Sequence, residues 1–392
     1  MTRVISVEQR RARLVRRHHL APGAQAADVV AATRNVVALH SSDPASVYLA
    51  ARARVRDADV PAVERALYED RTVVRMLGMR RTLFVVPSEL VPVVHAACTR
   101  AIAAKERKRL AGFVESGGTA EDGEAWIARL EPIALAAVAE RGEALAAELS
   151  RTVPELGEKI VLGAGTKWAT TVSAGSRMLF LLAAAGHLVR SRPAGQWTSS
   201  QYRWAPVAAW FPGGVDELET DAAQAELARR YLAAFGPATL EDLAWWTGWT
   251  KREAKRALAA VGAVEVDLGG ATGHVLPDDL DDEPASEPGV ALLPALDPTV
   301  MGWTGRDWYL GDHRPALFDR SGNAGPTVWW DGRVVGGWGQ RPDGEVVVRL
   351  LEDVGSEAVT AAEREAERLT AWLAGVRITP RFRTPLEREL SA

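Results

Sequence analysis

The sequence predicts a mainly α-helical chain with additional β-structure, built from tandem winged-helix modules that are followed by a small antiparallel β-domain. Helical periodicity dominates the first three quarters of the 392 residues. The order helix, turn, helix and β-hairpin recurs along this part, and each hairpin is the wing of a module. The last quarter is rich in β-branched residues and Asp-Gly turns. A chain of this length suits several modules better than one core.

The first module is predicted over residues 1–118. Two helices are expected at residues 8–20 and 26–39. Residues 73–87 then carry apolar and β-branched side chains on both sides of Gly78. This pattern indicates two strands joined by a turn, which form the predicted wing.

Two further modules are predicted over residues 119–218 and 219–280. Both contain a small-residue entry, GEALAAEL in the first and GPATLEDL in the second, and both end an apolar helix in a small-residue turn. Such internal similarity is typical of repeated modules. In the third module, Thr239 and Thr250 carry N-cap signals for the two helices of a helix-turn-helix.

An acidic, proline-containing stretch separates the modules from the last part of the chain. Residues 281–288 are predicted to be a linker, and the whole stretch 278–288 is expected to stay solvated. Residues 289–392 are predicted to form the β-domain, with Asp-Gly hairpin turns and a C-terminal amphipathic helix.

Composition excludes several classes of protein and site. Because no stretch reaches about 18 uncharged apolar residues, no membrane span is expected. The N-terminus lacks the apolar region of a secretory signal, and the single cysteine, Cys98, excludes internal disulfides and a CxxC zinc site. The seven histidines are scattered, so no metal site is expected, and no glycine-rich phosphate loop is present. We therefore expect a cytoplasmic protein.

Net charge is distributed unevenly along the chain, at +9 for residues 1–120 and −13 for the remainder. A basic first third suggests a surface that faces a polyanion, and a wing commonly contacts the phosphates of duplex DNA. The candidate DNA contacts are arginines in and before the first wing: Arg52, Arg54, Arg75, Arg80 and Arg81. The alternative is that these side chains are solvated charges of an arginine-rich chain.

The most informative polar segment is His40-Ser41-Ser42-Asp43-Pro44, at the predicted end of the second helix. Together with Arg81-Thr82-Leu83 in the first wing, and with LLPALDPTVMGWTGR and VWWDGRVVGGW in the β-domain, it resembles the AlkZ family of winged-helix DNA glycosylases. That family carries Gln, a hydrophobic residue and then Gln or Asp at this place, commonly followed by Asp-Pro. Here His40 and Ser42 stand at the two polar positions, and Asp43-Pro44 follow.

The resemblance implies that His40, Ser42 and Asp43 form the catalytic group. In the family, the polar side chains are thought to hold a water that attacks the anomeric carbon of the sugar. A neutral imidazole can accept a proton from that water, and Asp43 can stabilise the developing oxocarbenium charge, whereas Ser42 lacks the carboxamide of the family motif. The alternative is local: His40 caps a helix carbonyl, and Ser-Ser-Asp-Pro forms an N-cap and turn.

The function implied by the resemblance is that of a monofunctional DNA glycosylase that acts, without a cofactor, on bulky alkylated purines or crosslinks in duplex DNA. A monomer associated with the nucleoid is expected, since no dimerisation signal is visible. Two alternatives remain open: a non-catalytic winged-helix DNA-binding protein, such as a transcription regulator or lesion binder, and a protein-interaction module. Salt-dependent binding of duplex DNA distinguishes the protein-interaction module from the other two functions.

Overall fold

Side-chain caps begin the first four helices in the computed structural model, which describes residues 2–392. Ser6 Oγ accepts a hydrogen bond from Gln9 N at the start of α1 (Val7–Arg17). Aspartate side chains cap the next three helices: Asp28 caps α2 (Val29–Asn35), Asp43 caps α3 (Pro44–Arg52) and Asp59 caps α4 (Val60–Glu64). Each cap satisfies a backbone N–H group that has no partner within the helix.

Helices and strands alternate along the rest of the chain, which makes the fold mixed α and β, as predicted. The other helices are α5 (Val91–Val94), α6 (Arg100–Ser116), α7 (Gly123–Arg141), α8 (Ala146–Thr152), α9 (Pro154–Gly157), α10 (Ala174–Ala184), α11 (Thr220–Phe235), α12 (Leu240–Thr247), α13 (Lys251–Ala260), α14 (Asp307–Leu310), α15 (Arg314–Leu317), α16 (Gly355–Leu373) and α17 (Pro385–Leu390). The strands are β1 (Leu39–His40), β2 (Val73–Leu77), β3 (Leu83–Pro87), β4 (Ala144–Leu145), β5 (Lys159–Leu162), β6 (Thr170–Ser173), β7 (Leu188–Pro193), β8 (Tyr202–Pro206), β9 (Val264–Asp267), β10 (Thr272–Val275), β11 (Val290–Leu293), β12 (Thr327–Trp330), β13 (Arg333–Gln340) and β14 (Val346–Leu350). Within residues 2–392, no helix combines the length and apolar character needed to cross a membrane.

The chain packs as two units. The first contains the chain up to Val73, together with Phe84–Pro87 and Gln224–Ala392. The second contains Val74–Leu83 and Ser88–Ala223. This division describes the packing of the folded chain, and the module boundaries inferred from the sequence stay a prediction.

The last part of the first unit is a four-stranded antiparallel sheet in the order β11-β12-β13-β14. Asp331-Gly332 and Asp343-Gly344 lie in its two tight turns, and both glycines have the positive φ that such turns require. α16 packs against β11 and β14, and α17 packs against β13. The antiparallel sheet and the C-terminal amphipathic helix predicted for this part of the chain are therefore present.

Three helices and a hairpin follow one another from α11 to β10. Thr239 and Asp242 form a capping box at the start of α12, and Thr250 and Glu253 form another at the start of α13. Gly248 ends α12 in the left-handed conformation, with a φ of 79°. β9 and β10 then pair as an antiparallel hairpin. This is the order of elements that the sequence predicts for the third module.

The second helix is shorter than the sequence predicts. The helix expected over residues 26–39 runs only from Val29 to Asn35, and Val37 has a φ of 65°. Leu39 and His40 belong to β1, which pairs with β3. The prediction was wrong because strand pairing overrides the helical pattern of apolar residues, and β-branched valines favour this outcome.

The core of the second unit lies among α6, α7 and α10. Ile127 and Leu130 of α7 pack with Met178 and Leu179 of α10, and all four side chains are fully buried. β8 pairs with β4 and β7, and β5 pairs with β6. The chain leaves α10 through Gly186, whose φ of 85° does not continue the helix.

The acidic stretch 278–288 was expected to stay solvated, but this prediction was wrong for its first half, which binds α1. Asp279 accepts hydrogen bonds from Arg13 at 2.8 Å and from Arg17 at 2.6 and 3.0 Å. Arg13 is only 1% exposed, so this pairing neutralises a buried charge. The other arginines of α1 are also engaged: Arg10 lies over the Trp308 ring, Arg11 donates to Trp308 O, and Arg16 pairs with Glu283. The basic N-terminal helix is therefore largely neutralised within the protein.

A buried polar cluster joins α1, α11 and the segment after α3. Arg54 is fully buried and donates to both carboxylate oxygens of Asp297, at 2.9 and 2.6 Å. Its Nη2 also donates to Thr299 Oγ1 at 2.7 Å, and that hydroxyl lies 2.9 Å from His18 Nδ1. His18 Nε2 is 3.1 Å from Ala234 O, the carbonyl that it contacts in α11. Burial lowers the pKa of His18 well below its ordinary value, so the ion pair carries the charge of the cluster.

We expect Asp279→Asn to lower the free energy of unfolding by about 2–3 kcal/mol, because it leaves the buried Arg13 guanidinium without an anionic partner. Urea denaturation measures this change. Glu287→Gln removes a charge from an exposed residue of the same stretch and is the matched control, with an expected change below about 0.5 kcal/mol. Equal and small effects of the two variants would contradict the role assigned to Asp279.

Candidate active site

His40 is the second residue of the short strand β1. It lies opposite Phe84 of β3, and the centroids of the two rings are 4.9 Å apart with their planes tilted by 59°. The residue is 6% exposed, so the imidazole is largely desolvated and has an aromatic ring beside it. The local alternative expected His40 to cap the end of a helix. His40 does not stand there, because α2 already ends at Asn35.

A backbone contact indicates which nitrogen of the neutral His40 imidazole carries the proton. Ser42 N–H donates to His40 Nδ1 over 3.3 Å. A ring nitrogen that accepts a hydrogen bond carries no proton, so this contact favours the tautomer of the neutral ring with its proton on Nε2. Nε2–H can orient a water molecule by donating to its oxygen, but it cannot accept the proton of that water. The geometry therefore favours an orienting role for His40 over the proton-accepting role expected from the sequence.

Asp43 is held by backbone groups on both of its carboxylate oxygens. Oδ1 accepts from Ala45 N at 3.2 Å, which caps α3, and Oδ2 accepts from Arg381 N at 3.0 Å. Burial raises the pKa of Asp43, while the two N–H donors and the charge of Arg381 oppose the rise. The N-cap predicted by the local alternative is thus confirmed for Asp43. The cap leaves a fixed, buried carboxyl group, and its raised pKa makes the carboxylate a better proton acceptor.

Arg381 is a neighbour of the site that the sequence did not reveal. It lies in the C-terminal segment, far along the chain from the carboxylate that its backbone N–H contacts. The sequence signal at this place is a basic, proline-containing tail, which gives no indication of its partner.

Ser42 lies between His40 and Asp43 and is partly buried.

Two predicted DNA contacts lie in the first unit, and the structure contradicts one of them. Arg54 is fully buried and paired with Asp297, so it is inaccessible to a phosphate, and its prediction as a DNA contact was wrong. Its pairing is structural, since a buried charge must be neutralised locally. Arg52 donates to Glu365 at 2.6 Å, and its side chain is 12% exposed. A contact between Arg52 and DNA therefore requires this ion pair to open.

The other three predicted DNA contacts lie in the second unit. Arg75 is 2% exposed, with its guanidinium 4.4 Å from the centroid of the Tyr202 ring, so its prediction as a phosphate contact was also wrong. Arg80 and Arg81 lie in the turn between β2 and β3 and both have positive φ. Arg81 is exposed, although it makes a bidentate pair with Glu106 at 2.7 Å. Arg80 and Arg81 stay predicted DNA contacts.

The arrangement around β1 and α3 offers one neutral donor and one carboxylate in a buried setting. Such a pair can hold a water and can stabilise a positive charge that develops on a substrate. Among residues 2–392, no cluster of three or more His, Cys, Asp or Glu side chains could hold a metal ion.

Comparison with protein families gives a match over most of the chain. The family model described as "DNA glycosylase AlkZ-like" matches residues 33–372. The matched region contains His40, Ser42 and Asp43, and it ends before the C-terminal segment that holds Arg381.

Two comparisons with individual proteins agree with this match. The chain is 32% identical over 157 residues to the "Interstrand DNA cross-link repair glycosylase" of Streptomyces sahachiroi, an alignment that covers 38% of this chain and 42% of that relative. The chain therefore matches less than half the length of this curated relative. The solved structure of Streptomyces sahachiroi DNA glycosylase AlkZ is similar with a TM-score of 0.71, at 22% identity and over 96% of this chain and 99% of that chain. At this identity the likeness shows a shared fold.

We expect Arg54→Gln to lower the free energy of unfolding by about 3–5 kcal/mol, because it leaves Asp297 as an unpaired buried charge. Urea or thermal denaturation measures the loss. Arg56→Gln, two residues away at an exposed position, is the control and should change stability by less than about 0.5 kcal/mol. A stable Arg54→Gln protein with weakened DNA binding would instead restore Arg54 as a DNA contact.

Proposed function

We propose, on the premise that the chain belongs to the AlkZ-like DNA glycosylase family, that it is a monofunctional DNA glycosylase. It hydrolyses the N-glycosidic bond of bulky alkylated purine adducts or crosslinks in duplex DNA. The observation that carries the proposal is the placement of His40 and Asp43. Both are buried within the matched region, and backbone N–H groups hold both in fixed orientations.

The chemistry needs little beyond a held water and a stabilised cation. A purine alkylated at N7 carries a positive charge, and breaking its bond to the anomeric carbon returns the bonding electrons to the base and neutralises it. The sugar becomes an oxocarbenium ion, and the oxygen of a water attacks its anomeric carbon while a proton leaves that water. Electrostatic stabilisation of the developing charge is commonly the largest single contribution in such sites.

His40 and Asp43 divide between them what a glutamine carboxamide supplies alone. A carboxamide offers both a donor and an acceptor to a water. In this chain the donor is His40 Nε2–H, since Nδ1 is occupied by Ser42 N–H. The acceptor is the Asp43 carboxylate, which also takes the proton of the attacking water and stabilises the oxocarbenium ion. Ser42 contributes its backbone N–H, and its hydroxyl assists in holding the water.

The scaffold is proposed to be a series of winged-helix modules over residues 1–118, 119–218 and 219–280, joined through 281–288 to the β-domain at 289–392. The order of helices and hairpin from α11 to β10 supports this interpretation. Duplex DNA is the partner, bound by a monomer at the nucleoid, and Arg80 and Arg81 contact phosphates. Phosphate contacts position a protein without reading sequence, which suits an enzyme that searches for lesions.

We expect His40→Ala to lower the single-turnover rate of base excision by roughly 100-fold, because the attacking water loses its orienting donor. The substrate is a duplex treated with a nitrogen mustard, and cleavage at abasic sites on a gel reports excision. His40→Gln is the matched control: it restores the residue of the family motif and should keep much of the activity. Thermal denaturation of each variant confirms that it is folded.

Two outcomes would contradict this assignment. Full activity of His40→Ala would remove His40 from the mechanism. No excision by the wild type, together with salt-sensitive binding of the same duplex, would instead identify a non-catalytic DNA-binding protein.

We expect the excision rate to fall on the acid side with an apparent pKa above the ordinary value for aspartate of about 3.9. The ionised carboxylate is the active form, and burial raises the pKa of Asp43, so the active fraction declines at a higher pH than for an exposed aspartate. The rate is measured between about pH 4 and 8 after subtraction of enzyme-free depurination. Asp43→Asn should lose most of the activity and the acid limb with it. An unchanged acid limb in that variant would assign the titration to another group.

A further inference from the structure

A cationic groove lies beside Asp43 in the first unit. It runs between the turn at residues 318–321 and the segment at residues 381–388, and its volume is about 660 Å³. Four arginines line it: Arg320, Arg381, Arg383 and Arg388. The sequence shows a basic C-terminal tail here, but the predicted DNA contacts were placed in the first third of the chain.

Three of the four guanidinium groups have no acceptor within the part of the chain that the structure describes. Arg383 donates to both carboxylate oxygens of Glu387, at 2.8 and 3.0 Å, and so is neutralised. Arg320, Arg381 and Arg388 are exposed, and their side chains make no hydrogen bond or ion pair with residues 2–392. They differ in this respect from the arginines of α1, which are all engaged.

Asp319, the carboxylate in the groove, offsets only part of this charge, because one negative group faces three arginines that make no ion pair. Asp319 accepts hydrogen bonds from Ser321 N, Asn323 N and Asn323 Nδ2, each at 2.8 Å. These bonds hold the turn at residues 318–321 in its conformation and occupy both oxygens. The groove therefore keeps a net positive charge on a fixed frame.

The groove is connected directly to the candidate active site. The backbone N–H of Arg381 donates to Asp43 Oδ2 at 3.0 Å, while the side chain of the same residue lines the groove. An anion bound to the Arg381 side chain is therefore held by the same residue whose backbone contacts the carboxylate that is proposed to face the sugar. Guanidinium groups match the paired oxygens of a phosphate, and DNA carries a phosphate beside every sugar.

We propose that this groove binds backbone phosphates of the duplex beside the lesion, with Arg320, Arg381 and Arg388 as positioning residues. This inference rests on the proposed glycosylase function and adds to it the part of the chain that anchors the damaged strand. The arginines act through the phosphates, and the excised base does not contact them. Each neutralised phosphate releases counterions, so each contact contributes about 0.9 to the slope of log K against log salt concentration.

The test uses the triple variant Arg320→Gln/Arg381→Gln/Arg388→Gln in the full chain. The Arg381 backbone is unaltered in this variant, so its hydrogen bond to Asp43 is kept. We expect about 10- to 100-fold weaker binding of an alkylated duplex at about 0.1 M salt, and a salt slope that is lower by about 1 to 3. The single-turnover excision rate at saturating enzyme should fall as well, since the sugar is less well positioned.

The control is Arg229→Gln/Arg341→Gln/Arg368→Gln, which removes the same net charge. These three arginines are exposed but are paired with carboxylates of neighbouring residues. The control should leave the salt slope and the excision rate near those of the wild type. The single variants Arg320→Gln and Arg388→Gln, each expected to lower the slope by about 1, serve if the triple variant does not fold.

The outcomes separate this inference from the proposed function. If the wild type excises but the triple variant binds with an unchanged slope, the groove is not a phosphate site and the activity stands. If the triple variant lowers the slope but the wild type does not excise, the groove stands and the proposed activity fails. If the triple variant loses binding of poly-glutamate but keeps binding of the duplex, the groove is a site for an acidic peptide, and the proposal is overturned.

Discussion

The buried ion pair between Arg54 and Asp297 is the interaction on which the candidate site depends. Arg54 lies two residues after the end of α3, and Asp43 caps the start of that helix. Near the N-terminal end of α3, Ser46 Oγ donates to Ala295 O at 2.7 Å, two residues before Asp297. The helix is thus fixed at both ends to one short segment of the chain. Because α3 cannot shift without breaking a buried ion pair, the Asp43 carboxylate stays where its two backbone donors hold it.

The proposed chemistry follows from the residues that stand in this chain at the two polar positions of the family motif. A histidine that accepts from a backbone N–H retains a donor on Nε2, and the following aspartate supplies an acceptor with a negative charge. In the proposed chemistry the acceptor lies on Asp43, one residue after Ser42 at the second polar position of the motif. Burial of both residues keeps competing water away from the charges and raises the pKa of the aspartate.

Features with local causes could be predicted from the sequence, and those with distant causes could not. The capping boxes at Thr239 and Thr250 were predictable because their partners lie three residues away. The pairing of Arg54 with Asp297 and that of Asp43 with Arg381 join residues far apart in the sequence, and no periodicity reports such contacts. The helical pattern of apolar residues placed His40 at a helix end. The strand pairing that overrides this pattern joins β1 to β3, which lies far along the sequence.

Charge counted along the sequence was misleading for the same reason. The basic N-terminal helix is neutralised by an acidic stretch of the first unit, through Asp279 and Glu283. Unneutralised arginines are found instead in the C-terminal groove, in a part of the chain with a net negative charge. Net charge by segment therefore identified an excess of cations without showing which ones remain available to a polyanion.

The proposed activity is tested most sharply by mass-spectrometric quantification of the alkylpurine released from a nitrogen-mustard-treated duplex in a single turnover. We expect the wild-type protein to release the intact modified base, at a rate well above that of the enzyme-free duplex, and to leave an abasic sugar. Release at the enzyme-free rate from a duplex that is fully bound would contradict it. The buried His40 and Asp43 would then be structural residues of a DNA-binding protein.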